Sequence, residues 1–187
     1  MAAMMTQATS SPGGGTSAGR GPVDQDEIAR FEKIAAEWWN PSGKFRPLHQ
    51  IGPPRLRFIR DRLALHFRLP EDALKPLTGK TVLDIGCGGG LISEPMARMG
   101  AQVTGLDPGE RNIAVARSHA EPQGLAIDYR CGTAEELAAE GKTFDVVLAL
   151  EVIEHVPDPA AFMKTCASLV RPGGLMVAST INRNLKS

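Results

Sequence analysis

Several protein classes are excluded by what the sequence lacks. Its three cysteines lie far apart and form no Cys-x-x-Cys pair, which argues against a disulfide framework or a zinc site and predicts reduced cytosolic thiols. No apolar run approaches the roughly 18 residues of a membrane-spanning helix, and no signal peptide is expected because no basic stretch precedes an apolar one at the N-terminus. Lys and Arg (21) balance Asp and Glu (21), so bulk charge does not indicate a nucleic-acid binder.

Glycine, by contrast, is concentrated at one place. Residues 81–90 read Thr-Val-Leu-Asp-Ile-Gly-Cys-Gly-Gly-Gly, and apolar residues with helical spacing follow. This pattern predicts a strand, a tight turn and a helix, and such a turn presents backbone N–H groups and a helix N-terminus to a ligand. The dinucleotide fingerprint needs a further glycine where Leu91 stands, so a nicotinamide oxidoreductase is the weaker interpretation.

The spacing of Asp84, Gly86, Gly88 and Gly90 resembles motif I of the class I methyltransferases that use S-adenosylmethionine. The resemblance implies that Asp84 faces the methionine end of the donor and that Gly86 and Gly88 lie against its nucleoside. The next predicted strand ends in Asp107, and a carboxylate about 20 residues after the glycine turn can accept hydrogen bonds from ribose hydroxyls. This second acid disfavours the alternative, a glycine turn that merely closes a strand–helix unit.

The N-terminal part of the chain divides into a tail and a helical region. Residues 1–22 are rich in Gly, Ser, Thr and Ala and predict a disordered tail. A helical region is expected over 23–78, with one helix from Asp24 to Pro41, a loop over 41–52 and a second helix from Pro53 or Pro54.

Residues 79–187 alternate between strand and helix and predict the donor-binding α/β domain. The strands are apolar on both faces, as parallel strands covered by helices are, so we expect a Rossmann-like sheet with ligands at the carboxyl ends of its strands and the N-terminal helices packed on it. Strands are predicted at 81–86, 102–106, 126–130, 144–149 and 175–180, and helices at 89–99, 110–121, 133–140 and 159–170.

The segment 41–70 is strongly basic, with seven Lys and Arg residues and one acid, Asp61. A basic helix with an apolar stripe can lie on an anionic membrane surface. The alternative is a solvated helix face packed on the main domain.

The segment after the fourth predicted strand carries the most specific signal. If 150–155 forms a helical turn, Glu151, Glu154 and His155 share one face. Such a group can hold a divalent metal that activates an acceptor hydroxyl, or His155 can act as a general base oriented by a glutamate. A third alternative is that His155 and Glu154 only cap a helix.

The ordered part of the chain as a whole resembles the ubiquinone biosynthesis O-methyltransferase family. The segments that carry the resemblance are 31–32 with 38–39, 45–49, 82–90, 151–159 and 179–184. It implies methylation of a polyprenylated catechol-type ring and of 3-demethylubiquinol. It also implies a cytoplasmic enzyme that contacts the inner membrane face and other enzymes of ubiquinone biosynthesis, with no nucleic-acid partner.

The same resemblance assigns roles to individual residues. S-adenosylmethionine is expected to bind through Arg55, Gly86, Asp107 and Leu150. Arg55 suits the donor's carboxylate, since a guanidinium can bind it with two hydrogen bonds, and Leu150 suits an apolar contact with adenine.

Two further site expectations concern the other strand ends. Methyltransferases often carry an adenine-binding acid after the third strand, but Thr133 stands here, so backbone contacts are expected near Ala134. Eukaryotic relatives place magnesium at the positions of Glu151, Glu154 and His155, with His155 as the alternative catalytic base.

Family members continue past 182–184 with two more strands and a substrate-covering region. We therefore expect strands one to five of a seven-stranded sheet, without strands six and seven. A chain of this extent is expected to bind donor without turnover and to associate through the unpaired edge of its fifth strand. A class I methyltransferase with another small acceptor is the remaining alternative.

Replacing Asp107 with alanine is expected to weaken donor binding by about 1.5–3 kcal/mol, because it removes a carboxylate that accepts charge-assisted hydrogen bonds from ribose. Calorimetric titration with S-adenosylhomocysteine measures the difference. Equal affinity of the wild type and Asp107→Ala would contradict the assignment.

Overall fold

One sheet of five parallel strands forms the centre of the computed structural model, which describes residues 22–70 and 72–180. Its spatial order is β3-β2-β1-β4-β5, and every neighbouring pair is parallel. The strands are β1 (Thr81–Ile85), β2 (Gln102–Asp107), β3 (Ile127–Cys131), β4 (Phe144–Leu150) and β5 (Val170–Ser179). The carboxyl ends of β1, β2 and β4 therefore meet at one edge, which confirms the predicted Rossmann-like α/β sheet.

Six α-helices of the described ranges pack around this sheet. They are α1 (Gln25–Glu32), α2 (Arg46–Phe67), α3 (Ser93–Arg98), α4 (Glu110–Ala120), α5 (Ala134–Ala139) and α6 (Pro159–Ser168). On one face of the sheet, Phe162 of α6 packs with Leu83 and Val147. On the other face, Ile59 and Leu63 of α2 are fully buried in the cluster that contains strand residues such as Val82 and Val146. The N-terminal helices are thus packed on the sheet, as expected. No helix in the described ranges is long and apolar enough to cross a bilayer.

Each of the two N-terminal helices has one boundary that differs from the prediction. The first helix starts as expected, with the carboxylate of Asp24 accepting from the backbone N–H groups of Asp26 and Glu27, but it ends at Glu32 instead of continuing to Pro41. A 3₁₀ turn, Ala35–Glu37, follows it. Phe31 and Ile34 still pack with Ala35 and Trp38 in one apolar cluster across this break, because a 3₁₀ turn also places residues three apart on one side.

The predicted loop over 41–52 is wrong beyond Phe45. Helix α2 begins at Arg46, and Pro53 and Pro54 lie inside it instead of starting it. Its harmless first-turn proline is Pro47, whereas Pro53 and Pro54 each lack the N–H that would close an intrahelical bond. The C-terminal turns of α2, which carry the buried Ile59 and Leu63, pack against the sheet, and this burial offsets the two missing hydrogen bonds.

Two boundaries in the α/β part also shift. Helix α3 starts at Ser93, four residues later than predicted, so Pro95 falls in its first turn, where a proline removes no intrahelical hydrogen bond. Strand β5, predicted at 175–180, already begins at Val170 and contains a bulge, where the register with β4 jumps from Val170 to Leu175.

Other predictions from the sequence concern residues outside the described ranges or stay untested. The tail at 1–22 lies outside the described residues apart from Pro22, as does the segment 182–184. The division of the chain at 23–78 and 79–187 stays a prediction, since α2 shares one core with the sheet.

One buried acid links the first and fourth strands. The carboxylate of Asp145, fully buried in β4, accepts from the backbone N–H of Thr81 at 2.8 Å and from its hydroxyl at 3.0 Å. Its other oxygen faces the ammonium of Lys80 at 3.8 Å and the guanidinium of Arg171. Asp145 therefore anchors the amino ends of both strands.

Asp145→Ala is expected to destabilise the fold by about 1–3 kcal/mol, because the Thr81 N–H loses its acceptor in a partly buried place. Urea unfolding monitored by circular dichroism measures the change. The matched control is Asp128→Ala in β3, whose carboxylate is half exposed beside Arg130, and surface pairs contribute about 0–1 kcal/mol. Equal losses of unfolding free energy in the two variants would show that Asp145 contributes no more to stability than a surface ion pair.

Candidate functional site

A cavity of about 1030 Å³ opens at the carboxyl ends of β1, β2 and β4, between the sheet and the N-terminal helices. The sequence-predicted residues in its wall are Arg55, Asp84, Gly86, Asp107, Leu150, Glu151, Glu154 and His155. The apolar residues that the N-terminal region adds include Ile28, Phe31, Leu48, Ile51 and Leu56. The sheet and the N-terminal helices thus each form part of one cavity.

The glycine turn after β1 is shaped by positive φ angles. The φ of Gly86 is 69° and that of Gly88 is 53°, values that strain any residue with a Cβ. A Cβ would also collide with neighbours, since on Gly86 it would overlap Val152 and on Gly88 the indole of Trp38. Glycine is therefore required both by the turn and by what packs on it.

Two predicted residues do not line the main cavity. Gly88 is covered by the Trp38 indole, as its neighbour Gly89 is. Ala134, the first residue of α5, is buried and lines a small adjoining cavity of about 50 Å³. Thr133 before it is occupied as the N-cap, with its side chain accepting from the N–H of Glu136.

Asp84 is buried at the end of β1, beside the cavity. The hydroxyl of Ser93, at the start of α3, donates to its carboxylate at 2.6 Å. Burial raises the pKa of Asp84 to about 6, an effect that the Ser93 hydrogen bond opposes and the nearby Asp107 charge increases. A cation placed beside this carboxylate would favour its ionised form.

Asp107, the last residue of β2, is held by three donors. One carboxylate oxygen accepts from the N–H of Gly109 and from the amide of Asn112, both at 2.9 Å, and the other accepts from the N–H of Gly88 at 3.0 Å. Burial raises the pKa of Asp107, and these hydrogen bonds act in the opposite direction. The carboxylate thus fastens the glycine turn to β2 and α4, so Asp107→Ala would loosen the turn as well.

Arg55 and Glu151 form an ion pair across the cavity wall. The guanidinium of Arg55 in α2 donates to the Glu151 carboxylate at 2.6 Å, and the hydroxyl of Ser179 donates to the same oxygen at 2.8 Å. Both charged side chains are about 15% exposed. Leu150 before them ends β4 and is buried at the cavity.

The predicted helical turn over 150–155 is wrong. Glu151 has a left-handed backbone, with a φ of 56°, and the short 3₁₀ turn begins only at Ile153. The three side chains accordingly diverge, because the left-handed residue turns the chain out of helical register. Glu154 accepts from the Thr180 hydroxyl at 2.8 Å, and the Nδ1 of His155 lies 2.8 Å from a carboxylate oxygen of Glu27.

A metal centre is not formed in this arrangement. Within 22–70 and 72–180, no three His, Cys, Asp or Glu side chains are grouped closely enough to hold an ion. Glu151 faces Arg55, whereas His155 faces α1, where the ring of Phe31 meets the imidazole edge to face at 5.2 Å. The residues as placed do not fit a bound magnesium ion.

Sequence reasoning missed four residues that hold the site together: Glu27, Trp38, Ser93 and Asn112. Asn112 had a visible signal, since it is a polar side chain on the same helical face as Ala116 and Ala120, which are buried. The contacts of Glu27 and Ser93 had no such signal, because each side chain meets a partner from a different element.

Comparison with known proteins agrees with this geometry. A family model described as a methyltransferase domain matches residues 83–178. A ubiquinone biosynthesis O-methyltransferase of Parvibaculum lavamentivorans is 60% identical over 170 residues, which cover 91% of this chain and 67% of that protein. One of Rhizobium leguminosarum bv. trifolii is 56% identical over 172 residues, covering 92% and 68%.

Solved structures show the same fold. An S-adenosylmethionine-dependent methyltransferase from Clostridium acetobutylicum matches with a TM-score of 0.57 at 16% identity, over 80% of this chain and 56% of that one. The magnesium protoporphyrin IX methyltransferase of Synechocystis, solved with bound S-adenosylmethionine, matches with a TM-score of 0.52 at 24% identity, over 75% and 72%. This chain, which spans about two thirds of the length of its curated relatives, belongs to the ubiquinone biosynthesis O-methyltransferase family.

Proposed function

We propose that this cavity binds S-adenosylmethionine along the glycine turn. Within it, the protein methylates a hydroxyl of a polyprenylated catechol-type ring that is held beside the donor. Family membership gives the reaction class, O-methyl transfer from S-adenosylmethionine. The observation that carries the proposal is that one cavity is lined by Gly86, Asp107 and His155. The cavity therefore has one side that can bind the methyl donor, with the imidazole of His155 beside it.

The donor side follows from the charges in the wall. Asp107 would accept from the ribose, and Asp84 would face the ammonium of the donor's methionine part. Arg55 is directed at Glu151 through one N–H group, and a guanidinium has five, so others remain for the donor's carboxylate. A carboxylate, a ribose and an ammonium thus each have a complementary group in the cavity wall.

The acceptor side is supported by the apolar wall. The cavity's volume of about 1030 Å³ lies at the upper end of the range of ligand cavities, about 300–1,000 Å³. Phe31 and Leu48 belong to the part contributed by the N-terminal region. An apolar wall suits a ring that carries a polyprenyl chain.

His155 is the proposed general base. Methyl transfer to oxygen needs an oxyanion in line with the sulfur–methyl bond, and alignment lowers much of the barrier. Proton removal by His155 would create that oxyanion, and the carboxylate of Glu27, 2.8 Å away, would stabilise the imidazolium that forms. Magnesium at Glu151, Glu154 and His155 has no part in this proposal, because the three side chains diverge.

His155→Ala is expected to lower kcat by about 10²–10⁴-fold while leaving the affinity for S-adenosylhomocysteine unchanged. The assay follows methyl transfer to a catechol acceptor, in a chain extended to the length of the curated relatives. Glu27→Gln should lower kcat less, and Asp26→Asn, an exposed acid on the same helix, is the control. Unchanged turnover in His155→Ala would leave only a structural role, and activity that a chelator abolishes and magnesium restores would favour the metal.

An anionic membrane surface is the proposed partner of the outer face of α2. Ile51, Phe58 and Leu65 lie seven residues apart, hence on one face of the helix, and are 41%, 57% and 69% exposed. The guanidinium of Arg62 lies 5.7 Å from the Phe58 ring, and Arg57 and Arg60 are exposed nearby. Exposed apolar side chains among cations complement anionic lipid, and such a surface would bring a lipid-soluble acceptor to the enzyme.

Phe58→Ser with Leu65→Ser is expected to reduce co-sedimentation with vesicles that contain anionic lipid, because it removes the exposed apolar area. High salt should weaken binding of the wild type, and neutral vesicles should bind it less. Leu74→Ser is the matched control, since Leu74 is 97% exposed and lies outside the helix. Equal binding to anionic and neutral vesicles at low salt would contradict the proposal. A wild-type chain that forms dimers, which the double substitution converts to monomers, would also contradict it.

A further inference from the structure

A buried chain of hydrogen bonds runs from the N-terminal region to the proposed ribose-binding acid. The indole N–H of Trp38 donates to the amide oxygen of Asn112 at 2.8 Å, and the amide nitrogen of Asn112 donates to Asp107 at 2.9 Å. All three side chains are less than 8% exposed. An indole is a donor only and a carboxylate an acceptor only, so the amide of Asn112 has one orientation that satisfies both neighbours.

The hydrogen bonds of Asp107 determine what it can offer a ligand. A carboxylate has about four acceptor positions, and Gly109 with Asn112 fills the two on one oxygen. Gly88 takes one position on the other oxygen. One acceptor position therefore remains, on the oxygen that also bonds the glycine turn.

The Trp38 side chain has a second contact with the same site. Its ring packs on Gly88 and Gly89 and stacks on Phe45, with ring centres 3.7 Å apart and planes within 8°. The imidazole of His49 bonds the Trp38 carbonyl oxygen at 2.8 Å. Trp38 is thus fixed by its backbone, its ring and its N–H group, all at the wall of the donor cavity.

We propose that Trp38 and Asn112 are positioning residues for the methyl donor: they hold Asp107 with a single acceptor position free for the ribose. The inference rests on the proposed function, because it assigns the ribose to Asp107. It adds Trp38 to Arg55 as a contribution of the N-terminal region to the donor site.

Packing and positioning predict different behaviour of two substitutions. Trp38→Phe keeps an aromatic ring on the glycine turn and removes the N–H group, so a role in packing alone leaves donor affinity unchanged. Asn112→Asp keeps an acceptor for Trp38 but has no N–H to give Asp107, and it adds a carboxylate beside one already buried. Positioning requires both substitutions to weaken donor binding.

The experiment is a double-mutant cycle on this chain, with the dissociation constant of S-adenosylhomocysteine measured by calorimetry. Asn112→Ala is expected to weaken binding about tenfold, as loss of a hydrogen bond to a charged group does. Trp38→Phe removes a neutral hydrogen bond and should weaken binding by a smaller factor, and the double variant should bind like Asn112→Ala alone. Ser118→Ala, exposed on the same helix and bonded only to the Val115 carbonyl, should bind like the wild type. Urea unfolding of each variant separates lost folding from lost affinity.

The outcomes separate the two levels of the proposal. A wild-type chain that does not bind S-adenosylhomocysteine refutes the proposed function. A wild type that binds, with Trp38→Phe and Asn112→Ala at equal affinity or with losses that simply add in the double variant, refutes the positioning role alone. If Asn112→Ala does not fold, Asn112→Asp replaces it, and undiminished affinity in that variant refutes the role.

Discussion

The carboxylate of Asp107 is the point on which the donor side of the molecule depends. It lies buried at the end of β2 and accepts hydrogen bonds from the glycine turn, from the loop before α4 and from α4 itself. A buried charge without such donors would cost several kcal/mol, so the acid and its donors hold each other in place. Because the bond from Gly88 crosses from β1 to β2, the shape of the glycine turn is tied to the register of these two parallel strands.

The N-terminal region completes the site. The contacts that join it to the α/β part include those of Trp38 with Asn112, Arg55 with Glu151, and Glu27 with His155. Each pairs a side chain from a helix or turn before residue 68 with a group near a carboxyl end of a strand. In the proposed site, the sheet thus supplies the backbone and carboxylates for the donor, and the N-terminal region supplies apolar wall and the partners that orient charged side chains.

Two predictions from the sequence were wrong for identifiable physical reasons. Pro53 and Pro54 look like the start of a helix, yet α2 passes through them because Ile59 and Leu63 are buried against the sheet. The residues 150–155 have helical spacing, yet the positive φ of Glu151 breaks the helical register. In both cases tertiary contacts override the preference of a short segment.

The sequence by itself determined the sheet, the glycine turn and the acid at the end of β2. Apolar strands, glycine spacing and strand-terminal acids are local signals, and parallel pairing brings their carboxyl ends together without further information. Only the tertiary structure decided that Trp38 lies on the turn and bonds Asn112 and that Glu27 meets His155, since these pairs lie far apart in the chain, up to 128 positions for Glu27 and His155. Such contacts depend on how helices dock on the sheet, which the packing of whole surfaces sets and no periodicity in the sequence records.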